Sequence, residues 1–154
     1  MVSESGELLD MEGTAPRTPE VSLKGVFLRA AAGLADDAAG QAQVVAEALD
    51  LLQRGFDSHY AAATGATDDD ILVGDNAYAH AVETIAHLDE PRFVAVASRM
   101  IRDGAGRIAA GERVSLELWT PHLAGLLDII SGEGAQRSEA RIRKASAEMG
   151  SHDR

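Results

Sequence analysis

The chain contains no cysteine and few aromatic residues. The first absence excludes several kinds of site, and the second limits how the core can be built. Without cysteine there is no disulfide, no thiolate nucleophile and no thiolate metal site. Aromatic residues make up only 4% of the 154 residues although 45% are apolar, so Ala, Val, Leu and Ile must fill the core. Such side chains favour closely approaching helices. The composition therefore predicts an all-α protein, and its length suits a single core.

Basic residues are scarce as well. The chain has 14 lysines and arginines against 25 acidic residues, a net charge of −11, and Lys24 and Lys144 are its only lysines. Such a field repels polyanions, which argues against nucleic acid and anionic membranes as partners. The same balance is typical of salt-adapted proteins and of proteins from GC-rich genomes. If it is a salt adaptation, screening of the acids should raise the melting temperature in molar KCl.

Long hydrophobic runs are also missing. No stretch reaches the roughly 18 uncharged apolar residues that a membrane span needs. The first ten residues carry acids where a signal peptide would carry basic residues and an apolar run. The sequence therefore predicts a soluble, cytoplasmic protein without a membrane span.

Helical periodicity and end signals divide the chain into three parts. Residues 1–19 combine Gly, Pro and acids without a sustained period, which predicts a flexible N-terminal arm. A helical domain is expected over residues 20–132, and a polar C-terminal helix and tail over residues 133–154. The pattern predicts an antiparallel bundle of about five to six helices. Their predicted ranges are about 20–34, 36–63, 69–88, 91–110, 120–130 and 135–148.

Two of these segments carry specific expectations. Thr120 and Pro121 follow an amphipathic piece and predict a helix start, because threonine caps free N–H groups and proline has none to lose. Residues 135–148 are rich in Arg and Glu and offer few core positions, namely Ile142, Ala145 and Met149. We therefore expect that segment to be solvated or dependent on a partner.

An acidic cluster is the first candidate for chemistry. Asp68, Asp69 and Asp70, together with Asp75, could hold a hard cation such as Mg²⁺, because carboxylate oxygens are its preferred ligands. Asp68 and Asp69 also lie at a predicted helix start, where acids are favoured without any metal. Asp75 either faces a cavity in the bundle or is a surface acid. These four residues are weak metal candidates, and no other cofactor is expected.

Histidines offer a second possibility. His80, Glu83 and His87 share one helix face, because steps of three and seven residues return near the same direction. The apolar stripe of that helix lies opposite, so the trio should face solvent, and no second Glu-x-x-His occurs to build a di-iron site. His59 and His122 are expected at the surface or the edge of the core.

Large or polar side chains beside the predicted core are interface or cavity candidates. These are Tyr60, Asp75, Tyr78 and Trp119, of which the single tryptophan should anchor the core or an interface. The chain shows no nucleophile elbow, no Ser-x-x-Lys arrangement and no glycine-rich phosphate loop. No catalytic residue is therefore assigned.

One region resembles a known family. Residues 71–75 read Ile-Leu-Val-Gly-Asp and are followed by small and apolar residues at helical spacing. This resembles the LxGDxLxxxA helix of trans-polyprenyl diphosphate synthases. Residues 44–60 resemble the helix that leads into the first aspartate-rich motif of that family, and residues 90–108 resemble the helix after the Gly-Asp helix. The resemblance covers about residues 44–110 and implies part of the isoprenoid synthase fold.

The resemblance also implies that catalysis has been lost. Residues 52–59 read Leu-Gln-Arg-Gly-Phe-Asp-Ser-His where Asp-Asp-x-x-Asp is expected, and the second such motif is missing. Prenyl transfer needs magnesium to neutralise a departing diphosphate, so no activity is expected from this chain alone. Asp57-Ser58-His59-Tyr60 resembles the pattern in short, non-catalytic small subunits. The resemblance thus implies an accessory subunit that forms a homodimer, or a heterodimer with a catalytic prenyl synthase subunit.

Two alternatives remain open. One is an all-helical protein–protein interaction module without an isoprenoid role, for which Ala-rich stripes and a polar C-terminal helix suffice. The other is a small metal-dependent hydrolase that uses His59 with Asp68, Asp69 and Asp70.

Overall fold

The structure is a computed structural model that describes residues 22–65 and 68–152. Over these ranges the chain forms six α-helices and no β-strand, which confirms the predicted all-α bundle. The helices are α1 (Leu23–Ala30), α2 (Asp36–Ala63), α3 (Asp68–Ala86), α4 (Pro91–Ala109), α5 (Leu116–Ser131) and α6 (Ala135–His152). None of these six helices has the combination of length and apolar character needed to cross a bilayer. The predicted N-terminal arm, residues 1–19, lies outside the described residues.

Helix α2 is the central element, and it packs against α1, α3, α4 and α5. It is central because apolar residues recur at three- and four-residue steps between residues 42 and 56, giving a continuous buried stripe. The sequence predicts this stripe from the apolar residues at helical spacing between Val45 and Tyr60. Val45, Ala48, Leu49, Leu52 and Phe56 are buried as predicted, and Tyr60 at the end of the stripe is partly buried.

Local chemistry explains most of the helix ends. The Ser22 hydroxyl accepts a hydrogen bond from the Gly25 N–H at 2.8 Å and caps α1. Pro91 opens α4, and the Glu90 carboxylate accepts the Arg92 N–H at 3.1 Å. Gly132 follows α5 in the left-handed region with φ 68°, which only glycine adopts freely. Helix α1 ends at Ala30 instead of near residue 34 as predicted.

The start of α5 differs from the prediction. The helix begins at Leu116 because the Ser115 hydroxyl accepts the Leu118 N–H at 3.3 Å. Thr120 is buried one turn further on, and its hydroxyl donates to the Leu116 carbonyl at 3.1 Å. Pro121 therefore lies inside the helix, and the predicted start at Thr120–Pro121 is wrong. Serine already supplies the cap that threonine was expected to provide.

Helix α6 belongs to the core on one side. It packs against α5 and α1, with Ile142 0% exposed and Ala145 2% exposed. Ser138 is also fully buried, and Met149 packs against the core from a partly buried position. The three predicted core positions are confirmed, but the prediction of a solvated segment is wrong for this inner face. Four residues at steps of three and four form a stripe wide enough to dock the helix.

Candidate functional site

Helices α2 and α3 cross at two glycines. A Cβ on Gly55 would lie 2.6 Å from Cδ1 of Tyr78 and 3.2 Å from the Gly74 carbonyl oxygen. A Cβ on Gly74 would lie 2.6 Å from Nε2 of His59 and 3.1 Å from the Gly55 carbonyl oxygen. All four distances are shorter than ordinary van der Waals contacts. The backbones can therefore approach this closely only because both positions lack a side chain.

A row of rings extends from this crossing into the bundle. The His59 and Tyr78 ring centroids lie 4.8 Å apart, and those of Tyr78 and Phe56 lie 5.4 Å apart. Phe56 stacks on Trp119 at 4.7 Å, and Trp119 lies 6.0 Å from His122. These separations fall in the range in which ring pairs attract each other. The row joins α2, α3 and α5 into one junction.

Helix α4 reaches the same junction through another glycine. A Cβ on Gly104 would lie 2.9 Å from Cδ1 and 3.0 Å from Cζ of Phe56, which is itself buried. Gly106, two residues later, has open space around it. Gly104 therefore lets α4 pack closely against Phe56.

Each end of the ring row carries a histidine paired with an aspartate. His59 Nε2 lies 3.0 Å from Oδ1 of Asp75 and links α2 to α3. His122 Nε2 lies 2.9 Å from Oδ2 of Asp103 and links α5 to α4. The histidines are mostly covered while both aspartates are exposed. The pairs fix ring orientation at the edge of the core, and neither was predicted, because the partners lie on different helices.

Tyr78 carries an unusual buried hydroxyl. Its side chain is buried between the helices, and its hydroxyl has no hydrogen-bond partner among the described residues. Burial raises the pKa of Tyr78, because ionisation would place a charge in an apolar surrounding, and the nearby Asp75 carboxylate raises it further. The phenol therefore stays neutral well above its ordinary range.

A cavity of about 240 Å³ lies beside the ring row, between α1, α2, α5 and the segment between α4 and α5. Tyr60 and Trp119 line it, whereas Asp75 and Tyr78 lie at the α2–α3 crossing. The Arg113 guanidinium lies over the Tyr60 ring, with Cζ 4.8 Å from the centroid. The residues that line the cavity are Leu23, Gln53, Phe56, Asp57, Tyr60, Arg113, Val114, Ser115, Leu116 and Trp119.

The predicted metal candidates do not assemble into a ligand set. Asp68 and Asp69 are exposed in the first turn of α3, and Asp70 is partly buried. Asp75 lies further along the helix and pairs with His59. Across residues 22–65 and 68–152, no group of three or more His, Asp or Glu side chains could hold a metal ion.

The histidine face of α3 lies where the sequence placed it. His80, Glu83 and His87 are all exposed, which confirms that the trio faces solvent. His87 Nδ1 lies 2.8 Å from the Glu83 carbonyl oxygen, one turn earlier. That contact commits one ring nitrogen of His87 to the backbone.

The first two turns of α3 expose large apolar side chains. Ile71 is 45% exposed, Leu72 61% and Val73 54%, and no other large apolar side chain in the described part of the chain is as open. We call these three residues the α3 apolar surface. They were noted in the sequence only for their family resemblance, and helical periodicity gave no reason to expect them in solvent.

No protein-family model, curated protein or solved structure matches the chain. The relation to polyprenyl diphosphate synthases therefore stays a prediction from residues 44–110. The geometry itself offers three features: a closed junction of rings, an open cavity beside it, and an exposed apolar surface at the start of α3. Only the cavity and the apolar surface are accessible to another molecule.

Proposed function

We propose that this protein is a non-catalytic accessory subunit that acts by binding a catalytic prenyl diphosphate synthase subunit. The observation that carries the proposal is the α3 apolar surface, residues 71–73. Large apolar side chains exposed side by side are typical of interaction sites. The same residues open the helix that resembles the Gly-Asp helix of the synthases. Binding through this helix would link the resemblance to a role.

The packing of α2 supports a role without catalysis. Residues 52–59 occupy the place of the first aspartate-rich motif in the resemblance, and three of them, Leu52, Gly55 and Phe56, are buried. Asp57 is the one carboxylate in that segment, and it lines the cavity. A single carboxylate among core residues supplies too few ligands to hold the magnesium ions that a departing diphosphate requires.

Co-expression with the catalytic synthase encoded in the same genome tests the proposal. The full chain carries one affinity tag and the synthase another, and both are recovered from each tag. We expect the two to co-purify, and we expect the complex to give a different prenyl chain-length distribution from the synthase alone. The chain alone, given magnesium and both diphosphate substrates, should form no product. Separate elution together with an unchanged product distribution rejects the proposal.

The interaction module without an isoprenoid role is the second candidate. The same α3 apolar surface favours it, because exposed apolar residues indicate a partner whatever the ancestry of the fold. The co-expression experiment separates the two candidates, since only the first requires a prenyl synthase. A metal-dependent hydrolase has less support from the geometry. His59 is paired with Asp75 on the α2–α3 crossing, so it does not join the acids at the start of α3.

A further inference from the structure

The α3 apolar surface is surrounded by carboxylates. Leu72, its most exposed member, has Asp68 and Asp69 one turn before it and Asp75 and Asn76 one turn after it. Residues three and four apart are neighbours on a helix surface. A partner that covers Leu72 must therefore also approach three acidic side chains. The surface combines an apolar centre with an acidic border.

The acidic character extends beyond these neighbours. Between Arg54 and Arg92 the sequence holds eight acidic residues and no lysine or arginine. All of α3 lies in this stretch, so the helix has no cation of its own to offset its carboxylates. Like charges brought against such a border are repelled, and opposite charges are attracted.

We propose that the α3 apolar surface binds a cationic amphipathic helix of a partner protein. Such a helix carries leucine-like side chains at steps of three and four, which cover Leu72 and Val73, and lysines or arginines beside them, which face Asp68 and Asp69. Helix-on-helix docking is the ordinary way to bury an apolar helix face. This inference rests on the proposed binding function and specifies the chemistry of the partner.

A second copy of the chain fits this surface poorly. A two-fold contact would place the surface against itself, and the acidic border of one copy would face the acidic border of the other. The basic helix α6 is no better as an occupant, because it packs against α1 and α5 and two of its arginines are already engaged. Arg141 donates to both carboxylate oxygens of Glu133 at 2.7 and 3.0 Å, and Arg143 donates to Glu139 at 2.9 Å.

A synthetic probe tests the proposal on the full chain. The probe is a fluorescently labelled helix of about 18 residues made of Leu, Ala and Lys, with Leu at steps of three and four. One control peptide replaces every Lys with Glu, and another keeps the composition but scrambles the Leu positions. Binding is measured by fluorescence anisotropy at low and at high salt. We expect only the amphipathic Lys peptide to bind, and we expect salt to weaken it.

Variants locate the binding site. Leu72→Ala and the pair Asp68→Asn with Asp69→Asn should each weaken the probe about tenfold. The matched control is Asp36→Asn with Asp37→Asn, which removes the same charge from the exposed first turn of α2. That control should change affinity by less than about twofold. Far-UV circular dichroism verifies that each variant is folded. If Leu72→Ala is not folded, Val73→Ala tests the apolar surface in its place.

Three results would overturn the inference. Equal losses in the two aspartate pairs would mean that the probe senses only net charge. Full affinity in Leu72→Ala and Val73→Ala would mean that the apolar surface is not the site. A stable dimer of the full chain that light scattering shows to dissociate on Leu72→Ala would assign the surface to a second copy.

The outcome is separable from that of the proposed function. If the synthase co-purifies equally well with Leu72→Ala and with the unchanged chain, the accessory role stands and this inference fails. If no synthase binds but the probe binds selectively, the inference stands and the partner is a different protein.

Discussion

Helices α3 and α6 contradict their compositions in opposite ways. After its acidic first turn α3 has an apolar run in sequence, yet Ile71, Leu72 and Val73 lie in solvent. Helix α6 is largely charged, yet Ile142 and Ala145 are buried. The two helices differ in the surface that each has to pack against. Residues 71–73 precede the point where Gly74 brings α3 against α2, whereas α6 packs between α1 and α5.

A short apolar stripe that faces a matching surface buries a helix more surely than a run of consecutive apolar residues does. Consecutive residues point in different directions around a helix, so three in a row cannot all face one neighbour. Residues spaced by three and four can.

Truncating one apolar side chain on each helix should give very different results. Ile142→Ala should lower the free energy of unfolding by about 2–5 kcal/mol, because it leaves a cavity in the core. Leu72→Ala should change it by less than about 0.5 kcal/mol, because the side chain is already exposed. Urea unfolding followed by circular dichroism measures both. Comparable losses would mean that α3 is covered in the free protein.

The point where α3 crosses α2 should be as sensitive to substitution as residues 71–73 are tolerant. Gly74→Ala should cost about 1–3 kcal/mol, because the new methyl group would collide with the His59 ring and crowd the Gly55 carbonyl. The control is Gly40→Ala in α2, which has open space around it and should gain up to about 1 kcal/mol in helix propensity. Melting temperatures should therefore move in opposite directions. A stabilised Gly74→Ala would show that the helices can separate without cost.

The Tyr78 hydroxyl on α3 should slightly destabilise the fold. Tyr78→Phe should raise the free energy of unfolding by about 1 kcal/mol, because it removes a buried hydroxyl without a partner among the described residues. The pKa of Tyr78 is raised above its ordinary value of 10.0 in the fold. Above that value the unfolded chain loses a proton that the folded chain keeps, so stability should fall.

Tyr78→Phe should reduce that alkaline loss, which urea unfolding at increasing pH measures. Tyr60→Phe, at the partly buried end of the α2 stripe, is the control. If both variants lose stability with alkaline pH as the unchanged protein does, burial of the Tyr78 hydroxyl is not the cause.

An ion pair at the start of α6 should give the smallest effect. The hydrogen bonds from Arg141 hold the pKa of Glu133 below its ordinary value of 4.5. The stability that this pair adds is complete above the ordinary value and is lost as pH falls through the lower, folded pKa. Glu133→Gln should therefore make the melting temperature less sensitive to acid between neutral pH and about pH 3. Glu83→Gln on α3 is the control, and an equal response in both variants would contradict the assignment.

Much of the fold could be predicted from the sequence because it rests on local rules. The stripe of α2 and the proline at the start of α4 are properties of a few neighbouring residues, and both are confirmed. The predicted start of α5 was wrong because Ser115 and Thr120 can both cap a helix, and Ser115 forms the cap. The prediction that α6 is solvated was wrong for its inner face. A helix with few core positions can still be buried on one side if another helix offers a matching surface, and the sequence of α6 itself does not show whether one does.

The junction could not be predicted in the same way. The contacts of Gly55 with Gly74 and of His59 with Asp75 depend on where two helices cross and how they are rotated. Side-chain period gives the direction of each residue around its own axis but not the depth at which the axes meet. Internal glycines were the one available indication, and they do not tell which helix will approach.

Trp119 gives the molecule a built-in optical reporter. It is the only tryptophan, is 3% exposed, and stacks on Phe56 while forming part of the cavity wall. Intrinsic emission from the unlabelled chain therefore comes from one indole at the meeting point of the helices. Its wavelength should shift to the red when the bundle opens, and a compound that enters the cavity should quench or shift it, so a library can be screened without knowing what the protein binds.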